Sequence, residues 1–264
     1  TMRKNPMVAI FLTVFIDLLG FGILIPVFPL LISPGSPFRV TPEGWSFTQG
    51  LIMLGWLQAI FPFCIFIAAP ILGQLSDRHG RRPVLALSIF GTSIGYVLFA
   101  IGISTANIPL LFAGRALDGF TGGNLAVANA AIGDISTNEN RAKNFGALGA
   151  AFGLGFIVGP YLGGKLSSPG VSFYGLFDTP SWFGATTPFW FAAIIAMLNC
   201  AAVLTTFPET LKEKFHAGKL NALQSVTNVV DGFKSERLRA VLISGFLFSM
   251  GFTFFTTFFG VYLR

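Results

Sequence analysis

Seven apolar segments of about membrane-spanning length follow one another along this 264-residue chain. A helix needs roughly 20 apolar residues to cross the hydrocarbon core of a bilayer. Only 11% of the residues are charged, against about 25% in soluble domains. In lipid the backbone must satisfy its own hydrogen bonds, which favours bundled helices. The sequence therefore predicts an all-α polytopic membrane protein, with spans at approximately 7–32, 50–73, 84–104, 108–132, 144–165, 187–207 and 239–263.

The Lys and Arg residues are unevenly distributed between alternate connections of these spans. If the N-terminus is cytoplasmic, basic residues concentrate on the cytoplasmic side, where such loops are retained. We therefore expect a multi-pass protein of the plasma (inner) membrane with a cytoplasmic N-terminus. The cytoplasmic set comprises Arg3, Lys4, Arg78, Arg81, Arg82, Arg141, Lys143, Lys212, Lys214, Lys219, Lys234, Arg237 and Arg239, and the opposite set comprises Arg39, Lys165 and Arg264.

Several other classes of function find no support in the sequence. The basic residues form no continuous patch, which argues against nucleic-acid binding despite a net charge of +6. Cys64 and Cys200 lie inside apolar segments, and His79 and His216 lie in polar connections, so no metal site is expected. No Walker phosphate loop and no nucleophile–His–acid set is visible. The sequence thus predicts neither an enzyme nor a cofactor.

Asp17 lies near the middle of the first apolar segment. A charged side chain at that depth costs roughly 2.5–3.5 kcal/mol even on the lenient insertion scale, so it must face a cavity, find a partner or be protonated. A carboxylate that gains and loses a proton is what a proton-coupled carrier requires. The alternative is a buried hydrogen-bonding group near a helix break at Gly20, Gly22, Pro26 and Pro29.

Arg115 and Asp118 in the fourth segment are three residues apart, which places them on one helical face where they can pair. A permanent cation beside a titrating carboxylate can exchange partners as a proton binds and leaves. The alternative is a purely structural ion pair. Asn124 and Asn129 also lie in this segment, and each could contact a substrate or make an interhelical hydrogen bond.

The connection between the second and third segments carries the densest charge in the chain. Its glycines permit a tight turn, and its acidic and basic side chains can pair across helix ends and hold one conformation closed. The alternative is that the charges only set topology. Asp134 and Arg141 frame the next cytoplasmic connection, and we expect them to have a similar gating role. The residues of the turn are Gly73, Asp77, Arg78, Gly80, Arg81 and Arg82.

Glycines recur every four residues in the fifth segment, where they form one helical stripe that allows close packing. Pro160 removes a backbone donor within the same helix. The pattern is suited to a bendable, closely packed element, and the alternative is ordinary helix packing. The glycines of the whole pattern are Gly146, Gly155, Gly159, Gly163 and Gly164.

Four of these motifs resemble those of the major facilitator superfamily. G-x-L-x-D-R-x-G-R-R-P-x-L over 73–85 is similar to its loop between spans two and three. R-x-x-x-G over 115–119 resembles its fourth-span motif, whose Arg is associated with proton coupling. Residues 17–29 resemble the first span of the drug/proton antiporter branch, and 146–164 resemble the antiporter motif G-x8-G-x3-G-P-x2-G-G.

The resemblance implies a six-helix N-terminal bundle over 1–207, a cytoplasmic linker over 208–238 and a seventh transmembrane helix over 239–264. It also implies a longer, twelve-span chain whose C-terminal half is the partner of this part and supplies the partner of Asp77. Within the linker, 222–233 has amphipathic spacing typical of a helix at the membrane surface.

The implied function is proton-coupled efflux of a small lipophilic molecule by alternating access, as in tetracycline-resistance-like antiporters. This chain has Gly95 where that group often carries an acidic residue, and Ile65 where it tends to have Gln. These departures argue against tetracycline itself as the substrate. A nutrient importer or uniporter on the same fold and a non-transporting half-transporter scaffold remain the alternatives.

Overall fold

The computed structural model describes residues 6–173, 177–211 and 224–262, and nearly all of them are helical. Seven of the expected cytoplasmic or terminal residues lie outside these ranges, namely Arg3, Lys4, Lys212, Lys214, His216, Lys219 and Arg264. The elements are α1 (Pro6–Ile32), α2 (Phe47–His79), α3 (Arg81–Ser104), α4 (Ile108–Thr121), α5 (Asn124–Ile135), α6 (Arg141–Leu166), β1 (Ser172–Phe173), β2 (Phe177–Asp178), α7 (Thr187–Thr206), α8 (Gln224–Lys234) and α9 (Glu236–Tyr262).

Six helices of the described part are each long and apolar enough to cross a membrane: α1, α2, α3, α6, α7 and α9. The remaining crossing is shared between α4 and α5, which are 14 and 12 residues long. The predicted all-α polytopic fold is confirmed, with one small addition: β1 and β2 form an antiparallel hairpin in the connection before α7.

Polar caps fix where two helices begin on the side away from the basic turns. Ser46 starts α2 with a capping box, in which its Oγ accepts from the Gln49 amide and its own amide donates to Gln49 Oε1. Asn107 starts α4, and its Oδ1 accepts from the Leu110 amide at 3.0 Å. These caps satisfy backbone donors that lipid could not.

The basic turn is shorter than the sequence predicted, because the helices extend into the charged motif from both sides. α2 continues to His79 and α3 begins at Arg81, so Gly80 alone is non-helical. Its φ of 107° lies in the left-handed region that favours glycine. The charged side chains expected in a loop are therefore held on two helix ends.

The fourth crossing is broken, although its apolar sequence predicted one continuous span over 108–132. Gly122 and Gly123 keep near-helical backbone angles, but they interrupt the regular hydrogen bonding between α4 and α5. Both positions lie against α2, where a Cβ on Gly123 would come within 3.0 Å of the Ala69 backbone. The break thus lets the backbone approach α2 closely and turns the first residue of α5 towards the bundle interior.

Small residues bring the remaining helices together around an apolar core. α1 packs against α6 at glycines, and α3 packs against α4 where a Cβ on Gly114 would meet the Gly95 carbonyl oxygen at 2.9 Å. Interhelical hydrogen bonds join α7 to its neighbours, since Ser93 donates to the Ala193 carbonyl and Asn199 donates to Thr13.

The last helix, α9, lies at the edge of this bundle and exposes its described side chains. It meets α6 through an edge-to-face contact between Phe252 and Phe156, whose ring centroids are 5.2 Å apart. α8 precedes it with only Ser235 between them and exposes an apolar stripe. That helix coincides with the amphipathic segment predicted from the sequence.

Candidate functional site

A cavity of about 230 Å³ lies among the first crossings of the bundle and brings the predicted charged residues together. Asp17 of α1 and Asp118 of α4 both line it, although 101 positions separate them in the sequence. The rest of the wall is largely apolar and aromatic. Its aromatic members are Phe21, Phe61, Tyr96, Phe152 and Phe156.

The Asp17 carboxylate has one hydrogen bond and one vacant oxygen. Asn124, the first residue of α5, donates from Nδ2 to Asp17 Oδ2 at 2.6 Å. Asp17 Oδ1 is buried and has no hydrogen-bond partner among the described residues. A buried acceptor of this kind is costly unless a proton, a water or a ligand group satisfies it. The glycine break explains how Asn124 reaches α1, since it lets α5 start at the cavity.

Arg115 and Asp118 form the ion pair that their spacing predicted. Arg115 Nη1 lies 2.9 Å from Asp118 Oδ2, and the two side chains are 2% and 6% exposed. Nε and Nη2 of Arg115 have no hydrogen-bond partner in the described part of the chain. A pair buried this deeply has lost its hydration, so each charge depends on the other.

Phe61 of α2 separates the arginine from the cavity. The Arg115 Cζ atom lies 4.1 Å from the centre of the Phe61 ring, which is a cation–π contact. Phe61 lines the cavity, whereas Arg115 does not. The chamber therefore presents two carboxylates while the guanidinium lies behind an aromatic ring.

Sequence reasoning did not identify Phe61 or Tyr96 as site residues. Both belong to apolar segments whose other aromatic side chains face lipid or the core, and no spacing distinguishes them. Tyr96 is buried on α3, and its ring packs so closely against Gly20 of α1 that a Cβ there would overlap the phenol oxygen. The ring thus closes the α1–α3 side of the cavity.

The other predicted cavity residues differ in their placement. Asn129 donates to the Leu125 carbonyl within α5 and does not line the cavity, unlike Asn124. Ile65 does line it. Gly95 lies at the α3–α4 contact, where a Cβ would be 3.0 Å from Asp118 Cβ, so a larger side chain does not fit this packing.

A second polar cluster lies at the basic turn, about the buried Arg81. Its Nη1 binds Asp77 Oδ1 and Ser76 Oγ, both at 2.6 Å, and its Nε binds Asp134 Oδ2 at 3.0 Å. The guanidinium therefore ties the end of α2 to the end of α5. The sequence predicted Asp77 in this turn and Asp134 with Arg141 in the next connection. Asp77 pairs with Arg81 of its own turn, although the resemblance implied a partner from the C-terminal half.

Arg141 does not join that cluster. It begins α6, is exposed, and its Cζ lies 6.0 Å from the ring centre of Phe145 in the next turn. Arg78 and Arg82 lie on the two helix ends beside Gly80, and the Arg82 guanidinium donates to the Leu204 carbonyl of α7. The predicted gating residues thus make three separate contacts instead of forming one network.

Glu209, which the sequence did not single out as a partner of the turn, caps α3. Its Oε1 accepts from the Arg81 amide at 2.8 Å and its Oε2 from the Arg82 amide at 3.2 Å. A carboxylate at a helix N-terminus satisfies free amides and complements the helix dipole. A Pro-Glu-Thr run after an apolar segment was the available signal, but its partner lies 128 positions earlier.

The glycine pattern of α6 also divides into two parts. Cβ atoms on Gly155, Gly159 and Gly163 would each come within 2.9 Å of α1 atoms, and the Pro160 ring lies against Gly22. A Cβ on Gly146 would meet nothing within 4 Å, and one on Gly164 would only touch Pro26 at 4.0 Å. Of the predicted pattern, the central stripe and Pro160 therefore lie in the α1–α6 interface, and Gly146 and Gly164 do not pack closely against α1.

Comparison with known proteins gives a consistent result. The family model described as Major Facilitator Superfamily matches residues 10–264. The chain is 32% identical over 250 residues to the class H tetracycline resistance protein of Pasteurella multocida, covering 94% of this chain and 56% of that protein. It is 38% identical over 165 residues to the class C protein of Escherichia coli, covering 62% and 39% respectively.

A solved structure supports the fold. The crystal structure of the human organic anion transporter MFSD10 (TETRAN) superposes with a TM-score of 0.64 at 24% sequence identity. The match covers 85% of this chain and 53% of that one. The chain therefore spans about half the length of the proteins it matches.

Proposed function

Because the chain belongs to the major facilitator superfamily, we propose that it works in a secondary active transporter that exports a small lipophilic molecule in exchange for protons. The observation that carries this proposal is the shared cavity of Asp17 and Asp118, with Arg115 buried behind Phe61. The matched bacterial relatives are tetracycline resistance proteins. Their similarity supports export of a small molecule, and the buried carboxylates support its coupling to protons.

The walls of the cavity determine the class of substrate. Aromatic and aliphatic side chains bind apolar molecules by burying their surface, and a few polar groups then fix orientation. The polar residues of the lining are Asp17, Asp118, Thr92, Tyr96 and Asn124, and Asp17 Oδ1 is the acceptor without a partner among the described residues. The cargo is therefore a largely apolar molecule with a polar group that donates to Asp17 Oδ1 when Asp17 is not holding a proton.

Proton exchange follows from the same geometry. A proton that binds Asp17 satisfies its vacant oxygen and removes a charge from the chamber, which lowers the cost of excluding water from it. When Asp118 takes a proton, its attraction to the Arg115 guanidinium falls and the guanidinium is free to find another acceptor. Proton binding and release at these two carboxylates thus change which side chains hold the first, fourth and second crossings together.

The cytoplasmic cluster provides the gate in this scheme. Arg81 joins α2 to α5 through Asp77 and Asp134, and Glu209 joins the segment after α7 to the start of α3. These contacts hold the cytoplasmic ends of the bundle in one arrangement. The glycine stripe of α6 gives α1 and α6 a smooth interface, on which the two helices can slide during alternating access.

The proposal includes a topology and a division of the chain. The N-terminus and the basic turns lie in the cytoplasm of the plasma (inner) membrane, because their Lys and Arg residues would otherwise have to cross it. Residues 1–207 form the first bundle, 208–238 the linker and 239–264 the seventh crossing. A second bundle completes the central passage from its other side.

The test is substitution of Asp17 by Asn in the complete protein. Inside-out vesicles receive a pH gradient, and uptake of ethidium, rhodamine 6G and tetracycline is followed by fluorescence. We expect gradient-driven uptake to fall at least about tenfold, because Asn cannot carry the proton. Asp178→Asn is the matched control, since Asp178 is exposed in the β-hairpin.

Two outcomes would contradict the proposal. Full gradient-driven uptake by the Asp17→Asn protein would remove Asp17 from the coupling. Substrate movement with the proton gradient, in place of movement against it, would make the protein an importer.

A further inference from the structure

Gln58 is a buried polar residue of α2 that the transport scheme above does not use. Its side chain lies within an apolar crossing and is 6% exposed. Its Oε1 atom has no hydrogen-bond partner among the described residues. A vacant amide oxygen in the interior of a membrane protein costs free energy unless another conformation satisfies it.

The packing of α2 against the fourth crossing determines which residue is level with Gln58. A Cβ on Gly119 would meet Phe61 and Cys64, and one on Gly123 would meet Ala69 and Leu72. Later residues of the fourth crossing therefore contact later residues of α2, which means that the two helices run parallel.

One turn back from Gly119 is Arg115, and one turn back from Phe61 is Gln58. The cation–π contact between Arg115 and Phe61 shows that the Arg115 side chain lies against this part of α2. Gln58 thus continues the same α2 face at the level of the arginine.

The unsatisfied groups on the two helices are complementary. Two donor atoms of Arg115, Nε and Nη2, have no partner among the described residues. Its third nitrogen, Nη1, donates to Asp118 Oδ2. Gln58 offers a neutral acceptor on the neighbouring helix. Gln58 precedes Phe61 by one turn on the α2 face that packs against the fourth crossing, and the guanidinium contacts the Phe61 ring. Both side chains are long enough to span one helical turn, so they can meet without movement of the helices.

We propose that Gln58 is a positioning residue for Arg115, and that its Oε1 accepts the guanidinium when Asp118 has taken up a proton. The proposal rests on the proposed function for its place in the transport cycle. In that cycle the arginine alternates between a charged partner on its own helix and a neutral partner on α2. Gln58 thereby lowers the free energy of the protonated state, which would otherwise leave a buried cation without an acceptor.

Other ionisable groups face this part of the bundle from α1, α2 and α3. Asp17 faces the site from α1, Tyr96 from α3 and Cys64 from α2. Asp17 is already bound to Asn124 at 2.6 Å. Gln58 differs from all of these groups because its acceptor does not itself titrate.

Thermal unfolding of the complete protein in detergent, measured across pH, tests the contact without any transport assay. In Gln58→Leu the vacant acceptor is lost, which favours the folded state at alkaline pH, where Arg115 is bound to Asp118. At acid pH the same variant lacks the second partner of Arg115. We expect its unfolding midpoint to equal or exceed that of the wild type at alkaline pH and to fall about 3 °C below it at acid pH.

Ser88→Ala is the matched control. Ser88 is 2% exposed on α3, and its Oγ likewise has no partner among the described residues. Because no buried cation has been assigned to it, its removal should shift the unfolding midpoint equally at every pH. Parallel curves for Gln58→Leu and the wild type would overturn the proposal.

Gln58→Glu keeps the proposal testable if the leucine variant does not fold. An ionised carboxylate introduced at position 58 gains a partner if it lies beside the Arg115 donors, so this variant should become more stable relative to the wild type as pH rises. If Arg115 is out of reach, the buried carboxylate is uncompensated and the variant should become less stable as pH rises. That opposite slope would overturn the contact.

Vesicle exchange then separates this proposal from the proposed function. In Gln58→Leu we expect the pH profile of exchange to move by about one pH unit towards acid, because protonation of the site becomes harder. Wild-type exchange without any proton dependence would refute the proposed function, while the unfolding curves would still decide the contact between Gln58 and Arg115.

Discussion

The amide Nδ2 of Asn124 donates to Asp17 Oδ2 over 2.6 Å and joins two crossings through side chains 107 positions apart. Asn124 stands at the first position of α5, directly after the paired glycines that interrupt the fourth crossing. The break in the helix and the hydrogen bond are therefore one arrangement. Without the break, the α5 backbone would not present this amide to α1.

Replacing Asn124 by Ala should impair exchange strongly. Among the described residues, Asn124 is the hydrogen-bond donor to the Asp17 carboxylate, and the variant removes it. A hydrogen bond to a charged group is worth roughly 1.5–3 kcal/mol. We expect the gradient-driven rate to fall by about tenfold or more, measured as initial uptake by inside-out vesicles. Asn129→Ala is the control, because that amide donates within α5 and does not line the cavity. Equal losses in both variants would show that the Asp17 contact has no special part in exchange.

Phe61→Leu should weaken the separation between Arg115 and the cavity. The substitution removes a cation–π contact, which is worth about 2 kcal/mol when desolvated. We expect at least a several-fold loss of coupled exchange, together with increased proton leak in vesicles that contain no substrate.

The neighbouring Phe63→Leu serves as the control for Phe61, because Phe63 is 63% exposed on the outer side of the same helix. It should leave both the exchange rate and the leak unchanged. If the Phe61→Leu protein shows wild-type proton leak, the Phe61 ring does not shield Arg115 from the cavity.

Gly159→Ala should destabilise the bundle. The new methyl group would lie 2.8 Å from both Gly22 Cα and the Leu19 carbonyl oxygen of α1, and overpacking of this kind costs about 1–3 kcal/mol. The unfolding midpoint in detergent should fall by several degrees. Gly146→Ala, on the same helix, adds a methyl group to open space. It should be neutral or slightly stabilising, since Ala favours helix more than Gly does; the reverse order would contradict the interface described.

Glu209→Ala should loosen the end of the bundle that carries the basic turn. The variant removes a carboxylate that accepts from two amides at the start of α3, and the loss of such a cap costs about 1–2 kcal/mol. We expect faster proteolysis of the connection after α7 and a lower unfolding midpoint. Glu139→Ala removes the same charge from an exposed position between α5 and α6 and should change neither quantity.

The all-helical membrane fold could be predicted from the sequence, because lipid leaves few alternatives to long apolar helices. The ion pair of Arg115 and Asp118 could also be predicted, since three residues separate its members on one helix. The same holds for the stripe of Gly155, Gly159 and Gly163. In each case the relevant spacing is local, so the periodicity of a single helix contains the information.

Contacts between distant elements could not be predicted in this way. The Glu209 cap joins residues 128 positions apart, and nothing in a Pro-Glu-Thr run specifies which helix it reaches. Phe61 and Gln58 belong to an apolar helix whose partner depends on packing. The break at Gly122 was missed for a different reason: hydropathy stays continuous through paired glycines, and only tertiary contact with α2 decides that the helix is interrupted there.

Gly80 is the single non-helical residue between α2 and α3, and its backbone conformation excludes most other residues. A one-residue joint has almost no slack, so the two helices cannot swing apart independently. They must therefore tilt together as one rigid unit. The Glu209 carboxylate binds this unit at the turn between the two helices. Movement of either helix, including movement at the Phe61 ring, is thus coupled through Glu209 to the segment that follows α7.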